Sequence, residues 1–246
     1  MFNYLIKIEY NGKKFVGWQS QKNGRSVQDT VEKALNKTLK NKVKITGAGR
    51  TDKGVHALGQ YANFENKKMI EDKKKFLNST NFFLGNNLIS VIDIKLKKKD
   101  FHARFCAKKR IYEYVIVNRI SALCIDKNKA WHVKKKINFK LLKRGGKIFQ
   151  GKHNFSTFRA SSCTARSPIK MIDLVSIKKK KDKIFIKFVS KSFLQNQVRS
   201  MVGCLKYLST DKWDINKFKN VFKSKKRSEC APPAPAEGLY LIDVKY

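Results

Sequence analysis

The spacing of hydrophobic and polar positions in the first half of the chain predicts strands alternating with helices. Tyr4–Tyr10 has the composition of a strand. Ser26 then begins a helix, because Val27 and Val31 recur at helical spacing and an acidic residue stands three positions after the serine, as in a capping box. The other elements predicted here are strands at Val43–Thr46, Leu58–Glu65 and Ile89–Leu96 and a helix at Met69–Asn78.

The second half repeats this order of elements with one added helix. Ile111–Asn118 alternates as a strand, with Tyr112 and Tyr114 on the same face. A helix predicted at Phe139–Gln150 is interrupted by Gly145-Gly146, which weaken it. The other elements predicted here are strands at Ile169–Ile177, Ile184–Val189 and Leu239–Tyr246 and helices at Ser192–Leu208 and Ile215–Phe222.

Both halves therefore have the order β-α-β-β-α-β, which is typical of the ferredoxin-like split βαβ fold. The sequence predicts an α+β protein with two ferredoxin-like (βαββαβ) halves, whose antiparallel sheets flank a basic active-site cleft. We place the N-terminal domain at residues 1–104 and the C-terminal domain at residues 105–246. A fold of this kind assigns no function by itself.

Composition narrows the class of protein. Hydrophobic residues make up 41% of the chain, which includes 17 Phe and 8 Tyr, so a disordered chain is excluded. No run of roughly 18 apolar residues exists, so we expect no membrane span. The formal net charge of +38 indicates a polyanionic partner, most plausibly nucleic acid. The lysine excess has a second explanation, since an AT-rich genome also enriches lysine.

Cysteine and histidine usage predicts neither a metal site nor a disulfide framework. The five cysteines are odd in number and contain no CxxC pair, and the four histidines have neither HxxxH nor HExxH spacing. The N-terminal residues do not have the pattern of a secretory signal peptide. A reducing cytoplasmic location follows as the simplest expectation.

One segment has candidate chemistry, the loop sequence GAGRTDKGVHA at residues 47–57. Asp52 lies among three glycines and between Arg50 and Lys53. Cations on both sides favour the ionised carboxylate, which can act as a nucleophile or a base. The spacing alone leaves open a structural role, in which Asp52 caps a turn or pairs with Arg50. The segment is neither a Walker A loop nor a dinucleotide fingerprint.

The string GRTDKGVHALGQ at residues 49–60 resembles the signature of the TruA family of tRNA pseudouridine synthases. Five further blocks resemble that family in the same order, so the resemblance spans nearly the whole chain. They are YNGKKFVGWQSQ with SVQDTVEKAL, DFHARF, GKHNFSTFRA, FLQNQVRSMVG and APAEGLYL.

The resemblance implies a function and a set of site residues. It implies isomerisation of uridine to pseudouridine at positions 38–40 of the tRNA anticodon stem-loop by a homodimer that needs no cofactor. Asp52 would be the catalytic aspartate, Arg50 would hold the flipped nucleotide, Tyr112 would stack on the uracil, and Arg199 would pair with Asp52. Contacts to tRNA are implied for Phe101, His102, Ala103, Arg104 and Phe105 and for Arg159, Ala160, Ser161, Ser162 and Cys163.

Structural roles remain open for these residues when each is considered without the resemblance. Tyr112 alternates properly for a core tyrosine, and Arg199 falls in the middle of a predicted helix, where most arginines are solvated. The segment Leu77–Val91 departs from the family and lacks its usual proline.

Two rival functions are also considered. A non-catalytic RNA-binding or chaperone protein on the same fold would not need Asp52. A glycosidase-type hydrolase would need two carboxylates, and the motif contains only one acidic residue.

Overall fold

The protein belongs to the mixed α+β class, as the sequence predicts. The computed structural model describes all of residues 1–246, which form ten strands and five α-helices. The chain divides into two compact units, residues 1–108 with 241–246 and residues 109–240. No helix combines the length and apolar character needed to cross a lipid bilayer.

The first unit has the order β-α-β-β-α-β that the hydrophobic pattern predicts. Its elements are β1 (Phe2–Tyr10), α1 (Val27–Leu39), β2 (Thr46–Gly47), β3 (His56–Asn66), α2 (Lys73–Leu84) and β4 (Ile89–Lys97). Strand β1 lies between β3 and β4 in antiparallel pairing, and β2 pairs with β3. Alternate residues of β1, among them Tyr4, Ile6 and Ile8, are buried in the core of the unit. Helix α1 begins as predicted, since the Ser26 side chain accepts a hydrogen bond from the Asp29 amide.

The strand predicted at Val43–Thr46 is wrong for most of its length. Its first residues are not in the sheet because side chains of α1 bind their amides. The Val43 amide donates to Asn36 Oδ1 at 2.7 Å, and the Ile45 amide donates to Glu32 Oε1 at 3.0 Å. Only Thr46–Gly47 remain to pair with β3.

The predicted bounds of the second helix are also wrong. The helix begins at Lys73 because the Asp72 side chain caps it, accepting from the Lys75 amide at 2.8 Å. It continues to Leu84, beyond the predicted end at Asn78. Within the segment that departs from the family, Asn81 accepts from the Val91 amide and donates to the Val91 carbonyl, so this helix is tied to β4.

The second unit contains two short strands that the sequence pattern does not predict. Its elements are β5 (Lys109–Asn118), β6 (Trp131–Val133), α3 (Phe139–Ile148), β7 (Gly151–Asn154), β8 (Ile169–Lys180), β9 (Lys183–Ser190), α4 (Gln197–Ser209) and α5 (Ile215–Ser224). The sheet order is β5-β9-β8-β7 in antiparallel pairing, and β6 pairs parallel to β5. The last strand, β10 (Leu239–Lys245), crosses the boundary between the units along the chain.

Helix α4 begins five residues later than predicted. The Leu194 amide donates to Gln197 Oε1 at 2.8 Å, and Asn196 has the left-handed conformation (φ 60), so Ser192–Asn196 is not helical. Arg199 therefore lies in the first turn of the helix and not in its middle.

The paired glycines of α3 serve close packing, which corrects the prediction that they only weaken the helix. A Cβ atom on Gly145 would lie 2.6 Å from Leu208 Cδ2, and one on Gly146 would lie 2.7 Å from Ile177 Cδ1. Both glycines are buried within an unbroken helix. The helix thus packs closely on α4 and β8, and an added methyl group would require the buried side chains of Leu208 or Ile177 to shift.

We expect Gly145→Ala to destabilise the protein although alanine is the better helix former. Overpacking of this kind costs about 1–3 kcal/mol, which exceeds the gain of about 1 kcal/mol in helix propensity. Urea denaturation would measure the free energy of unfolding. Lys143→Ala on the exposed side of the same helix is the control and should change it little; a Gly145→Ala variant more stable than wild type would contradict the packing argument.

Candidate active site

The Asp52 loop connects β2 to β3 in the first unit, and backbone contacts to the segment after β1 hold it. The Trp18 amide donates to the Thr51 carbonyl at 3.1 Å, and Gly17 forms an isolated antiparallel bridge with Asp52. The Val55 amide donates to the Asp52 carbonyl at 3.1 Å and closes a turn in which Gly54 has φ +81. The backbone carbonyl of Asp52 therefore closes this turn.

Buried side chains hold the residues on either side of Asp52. The hydroxyls of Tyr10 and Thr51 lie 2.8 Å apart, and both residues are buried. Gln60 Nε2 donates to the Gly49 carbonyl at 2.8 Å. Strands β1 and β3 thus position the loop on both sides of the aspartate.

Asp52 and Arg50 are the two predicted site residues that this loop contains. Asp52 is half-buried and Arg50 is exposed. A half-buried carboxylate on a rigidly held backbone can meet a substrate in one fixed direction, which is what proximity catalysis requires.

Sequence reasoning missed the residues that support the loop from the other side. Gly17 has φ +124, and a Cβ atom on it would lie 2.8 Å from the Thr51 carbonyl oxygen. The Gly12 amide donates to His56 Nδ1 at 3.1 Å, and a Cβ atom there would lie 2.1 Å from the Val55 carbonyl oxygen. Both glycines fall within the block YNGKKFVGWQSQ, which resembles the family. That resemblance is the only sequence signal for their support of the loop.

Tyr112 lies on β5 in the second unit. Its side chain is 8% exposed, and its ring meets that of Phe193 edge-on with the centroids 5.3 Å apart. Phe188 on β9 is the residue paired with Tyr112 in the sheet. Both aromatic residues fix the orientation of the Tyr112 ring.

Arg199 is oriented by two acceptors within the second unit. Its Nε donates to the Ala234 carbonyl at 2.8 Å, and Nη1 donates to Asn196 Oδ1 at 3.1 Å. The Ala234 amide in turn donates to the Arg199 carbonyl at 3.0 Å. Burial raises the pKa of nearby Tyr114 well above its ordinary value, and the Arg199 charge opposes that shift. The guanidinium is therefore held in one direction at the start of α4.

The predicted RNA-contact segment at residues 101–105 mixes structural and exposed positions. Ala103 is buried, and its amide donates to Asn63 Oδ1 at 2.9 Å. Phe101 packs on Tyr246 at 5.0 Å between ring centroids. Phe105 is 72% exposed and is flanked by the His102 ring and the Arg104 guanidinium, whose centres lie 4.3 and 5.6 Å from it. These last three residues are the ones accessible to a partner.

The other predicted RNA-contact segment, Arg159–Cys163, is a tight loop of the second unit. Arg159 Nη2 donates to the Cys163 carbonyl at 2.8 Å, which closes the loop. Cys163 is buried, whereas Ser161 and Ser162 are exposed. The Ala160 amide donates to the Gln195 carbonyl at 3.0 Å.

The non-helical segment Phe193–Asn196 connects the predicted site residues of the second unit. Phe193 contacts Tyr112, Gln195 binds the Ala160 amide, and Asn196 binds Arg199. Sequence reasoning placed this segment inside a helix and so missed its role. The structure thus groups Arg50 and Asp52 in the first unit, and Tyr112, Arg199 and the Arg159–Cys163 loop in the second.

Comparisons with a family model and with known proteins identify the same family. A family model described as tRNA pseudouridine synthase matches residues 6–105 and 147–246. The chain is 54% identical over 246 residues to tRNA pseudouridine synthase A of Pelagibacter ubique, with 100% of both chains covered. It is 39% identical to the protein of that name from Maricaulis maris, over 100% of this chain and 98% of the other. For Ehrlichia ruminantium the identity is 41%, with 99% of both chains covered. The chain belongs to the tRNA pseudouridine synthase family.

Proposed function

We propose that this protein isomerises uridine to pseudouridine at positions 38–40 of the tRNA anticodon stem-loop, with Asp52 as the catalytic group. The observation that carries the proposal is the Asp52 loop. It presents one half-buried carboxylate on a backbone braced by Trp18, Gly17 and the buried Tyr10–Thr51 pair. Membership of the family supports the reaction, and the resemblance supports the assignment of the residue.

The reaction needs a small number of groups. The bond from C1′ to N1 breaks, the uracil rotates, and a bond from C1′ to C5 forms. The proton on C5 is lost and N1 gains a proton, so no atoms are gained or lost overall. A target base inside a helical stem must first leave the stack, at a cost of a few kcal/mol. The protein therefore has to supply a carboxylate near the reacting atoms, a group that keeps the base extruded and a surface that retains the detached uracil.

Arg50, Tyr112 and Arg199 are proposed for the supporting roles. Arg50 is exposed beside Asp52 in the sequence and would hold the flipped nucleotide through its phosphate. Tyr112 would stack on the uracil. Arg199, whose direction Ala234 and Asn196 fix, would keep the Asp52 carboxylate ionised.

We expect Tyr112→Leu to lower kcat/KM by about 10- to 100-fold, since stacking of a base on an aromatic ring contributes about 1–3 kcal/mol. Tyr112→Phe keeps the ring and should remain within about threefold of wild type. Single-turnover kinetics on tRNA transcripts would measure both. Phe193→Leu measures how much of the loss comes from disturbed packing, because it removes a ring that orients Tyr112 and keeps the Tyr112 ring itself. Near-normal rates for Tyr112→Leu would remove the stacking role.

The remaining assignments are also proposals. The half-buried His102 and the exposed residues Arg104, Phe105, Ser161 and Ser162 would contact tRNA. We propose that domains 1–104 and 105–246 are ferredoxin-like halves. The pairing of β1 with both β3 and β4, and of β2 with β3, supports this for the first half. A homodimer is proposed on the resemblance alone.

Incubation with unmodified tRNA transcripts, followed by mapping of pseudouridine, tests the function directly. We expect product at positions 38–40 and at no other uridine. Tight binding without product would favour the non-catalytic RNA-binding alternative and overturn the proposal. Product at another position would leave the reaction class intact and overturn the assigned position.

A further inference from the structure

Two lysine-rich segments of the second unit lie outside the proposed catalytic set. The first is the β8–β9 hairpin, where Lys178–Lys181 are all exposed. The second is Lys134–Lys136, which follows β6 and is equally exposed. The two segments are more than 40 residues apart in the sequence. We call these seven lysines the hairpin patch.

A single residue at the end of β5 ties the two segments together. The Asn118 amide donates to the carbonyl of Asp182, next to the hairpin lysines, at 2.7 Å. Its Nδ2 donates to the carbonyls of Val133 and Lys135 at 2.7 and 2.8 Å. Its Oδ1 accepts from the Ile137 amide at 3.0 Å. Asn118 therefore holds the backbones of the two segments of the hairpin patch next to each other at the end of β5.

The acidic residues of this region are already paired with other cations. Asp182 binds Arg119 at 3.0 Å, and Asp126 binds Lys183 at 2.8 Å. None of the seven patch lysines takes part in an ion pair. Their charge is thus not neutralised within the protein, and the like charges held close together favour an anionic partner.

The position of the patch separates it from the proposed uracil site. Tyr112 and Asn118 lie on the same strand, six residues apart. At roughly 3.3 Å per residue, the patch begins about 20 Å along the strand from the Tyr112 ring. A partner at the patch therefore lies well away from the reacting nucleotide.

We infer that the hairpin patch binds the phosphodiester backbone of the tRNA, about 20 Å from the reacting base. The inference rests on the proposed function and adds a second contact surface to it. Lysine is suited to such a role, because its ammonium acts as a point charge toward phosphate without reading sequence. Exposed Ile120 and Ile125 in the adjoining loop make an anionic membrane the competing partner. The proposed function, whose substrate is a polyanion, favours RNA.

The test compares two variants with equal loss of charge. In the first, Lys178, Lys179, Lys180 and Lys181 are changed to glutamine. In the matched control, Lys67, Lys68, Lys73 and Lys74, which are exposed in the first unit, are changed to glutamine. Affinity for full-length tRNA is measured from low to physiological salt, thermal melting checks the fold, and pseudouridine formation is followed in the same samples.

The hairpin variant is expected to lose about tenfold or more in tRNA affinity at low salt. Its slope of log affinity against log salt should become shallower by up to about 3, since each lost phosphate contact contributes roughly 0.7–0.9. The control should lose less than about threefold. An equal loss in both variants would show that the patch lysines attract tRNA only through diffuse electrostatics, and it would overturn the inference.

Two other outcomes separate the competing explanations. Unchanged tRNA affinity, together with weaker binding of the hairpin variant to vesicles containing phosphatidylserine, would assign the patch to a membrane and overturn the RNA contact. If the wild-type protein made no pseudouridine, the proposed function would be refuted. If tRNA affinity nevertheless fell in the hairpin variant and not in the control, the RNA contact at the patch would be supported.

Discussion

Asp52→Asn is expected to abolish pseudouridine formation while leaving tRNA affinity nearly intact. The amide keeps the shape of the side chain and removes its charge, so the backbone contacts of the loop with Gly17 and Trp18 should persist. Loss of a group that acts directly on the reacting atoms costs at least about 10³-fold in rate. Single-turnover assays on tRNA transcripts measure the rate, and filter binding measures the affinity.

Asp93→Asn is the matched control for this experiment. Asp93 is a half-buried carboxylate of the same unit, on β4, where it pairs with Lys95 at 3.3 Å. We expect its replacement to leave turnover within about twofold, because exposed ion pairs contribute little. Full activity of Asp52→Asn would refute the catalytic assignment, and equal losses in both variants would indicate a general effect of charge.

Gly17→Ala is expected to lower both stability and activity. A Cβ atom at this position would lie 2.8 Å from the Thr51 carbonyl oxygen, and φ of +124 is strained for alanine. The free energy of unfolding should fall by more than about 1 kcal/mol. The loop would have to shift, and a displacement near 1 Å at a reacting group can cost about 100-fold in rate. Urea denaturation and single-turnover kinetics check the two effects.

Gly85→Ala tests the backbone strain of a positive φ without the close contact that Gly17 makes with Thr51. Gly85 also has a positive φ, of +51, but a Cβ atom there meets nothing closer than the Phe82 carbonyl oxygen at 3.8 Å. This variant should lose stability and keep wild-type kinetics. If Gly17→Ala lost stability but kept full activity, Gly17 would not position Asp52.

The loop around Asp52 shows which features of the site the sequence predicts and which it does not. The motif GRTDKG identified the loop because its glycines and cations are contiguous in the sequence. The support from Tyr10 and Gly17 was not identifiable, since these residues are distant from Asp52 in the sequence and only tertiary contacts place them beside the loop. Gln60 ends the string GRTDKGVHALGQ, but its bond to the Gly49 carbonyl is visible only in the fold. A contact between distant residues leaves no local pattern.

The predicted boundaries of two elements are wrong because side chains bind backbone amides there. The predicted strand at Val43–Thr46 has suitable residues, yet Asn36 and Glu32 bind its amides. The predicted start of the fourth helix ignored Gln197, whose side chain binds the Leu194 amide and holds the preceding residues out of the helix. In both cases one or two tertiary or capping hydrogen bonds outweighed a propensity of a few tenths of a kcal/mol.

The sequence by itself determined the α+β class, the element order of the first unit and, through contiguous motifs, the family. These features depend on local periodicity and on blocks of adjacent residues, which a chain displays without folding. Only the tertiary structure decided that Gly145 and Gly146 are packing positions, that Phe193–Asn196 connects Tyr112 to Arg199, and that Asn118 binds two lysine-rich segments to each other. Each of those facts depends on which distant residues pack or bind together, and that is settled by burial and hydrogen bonding across the fold.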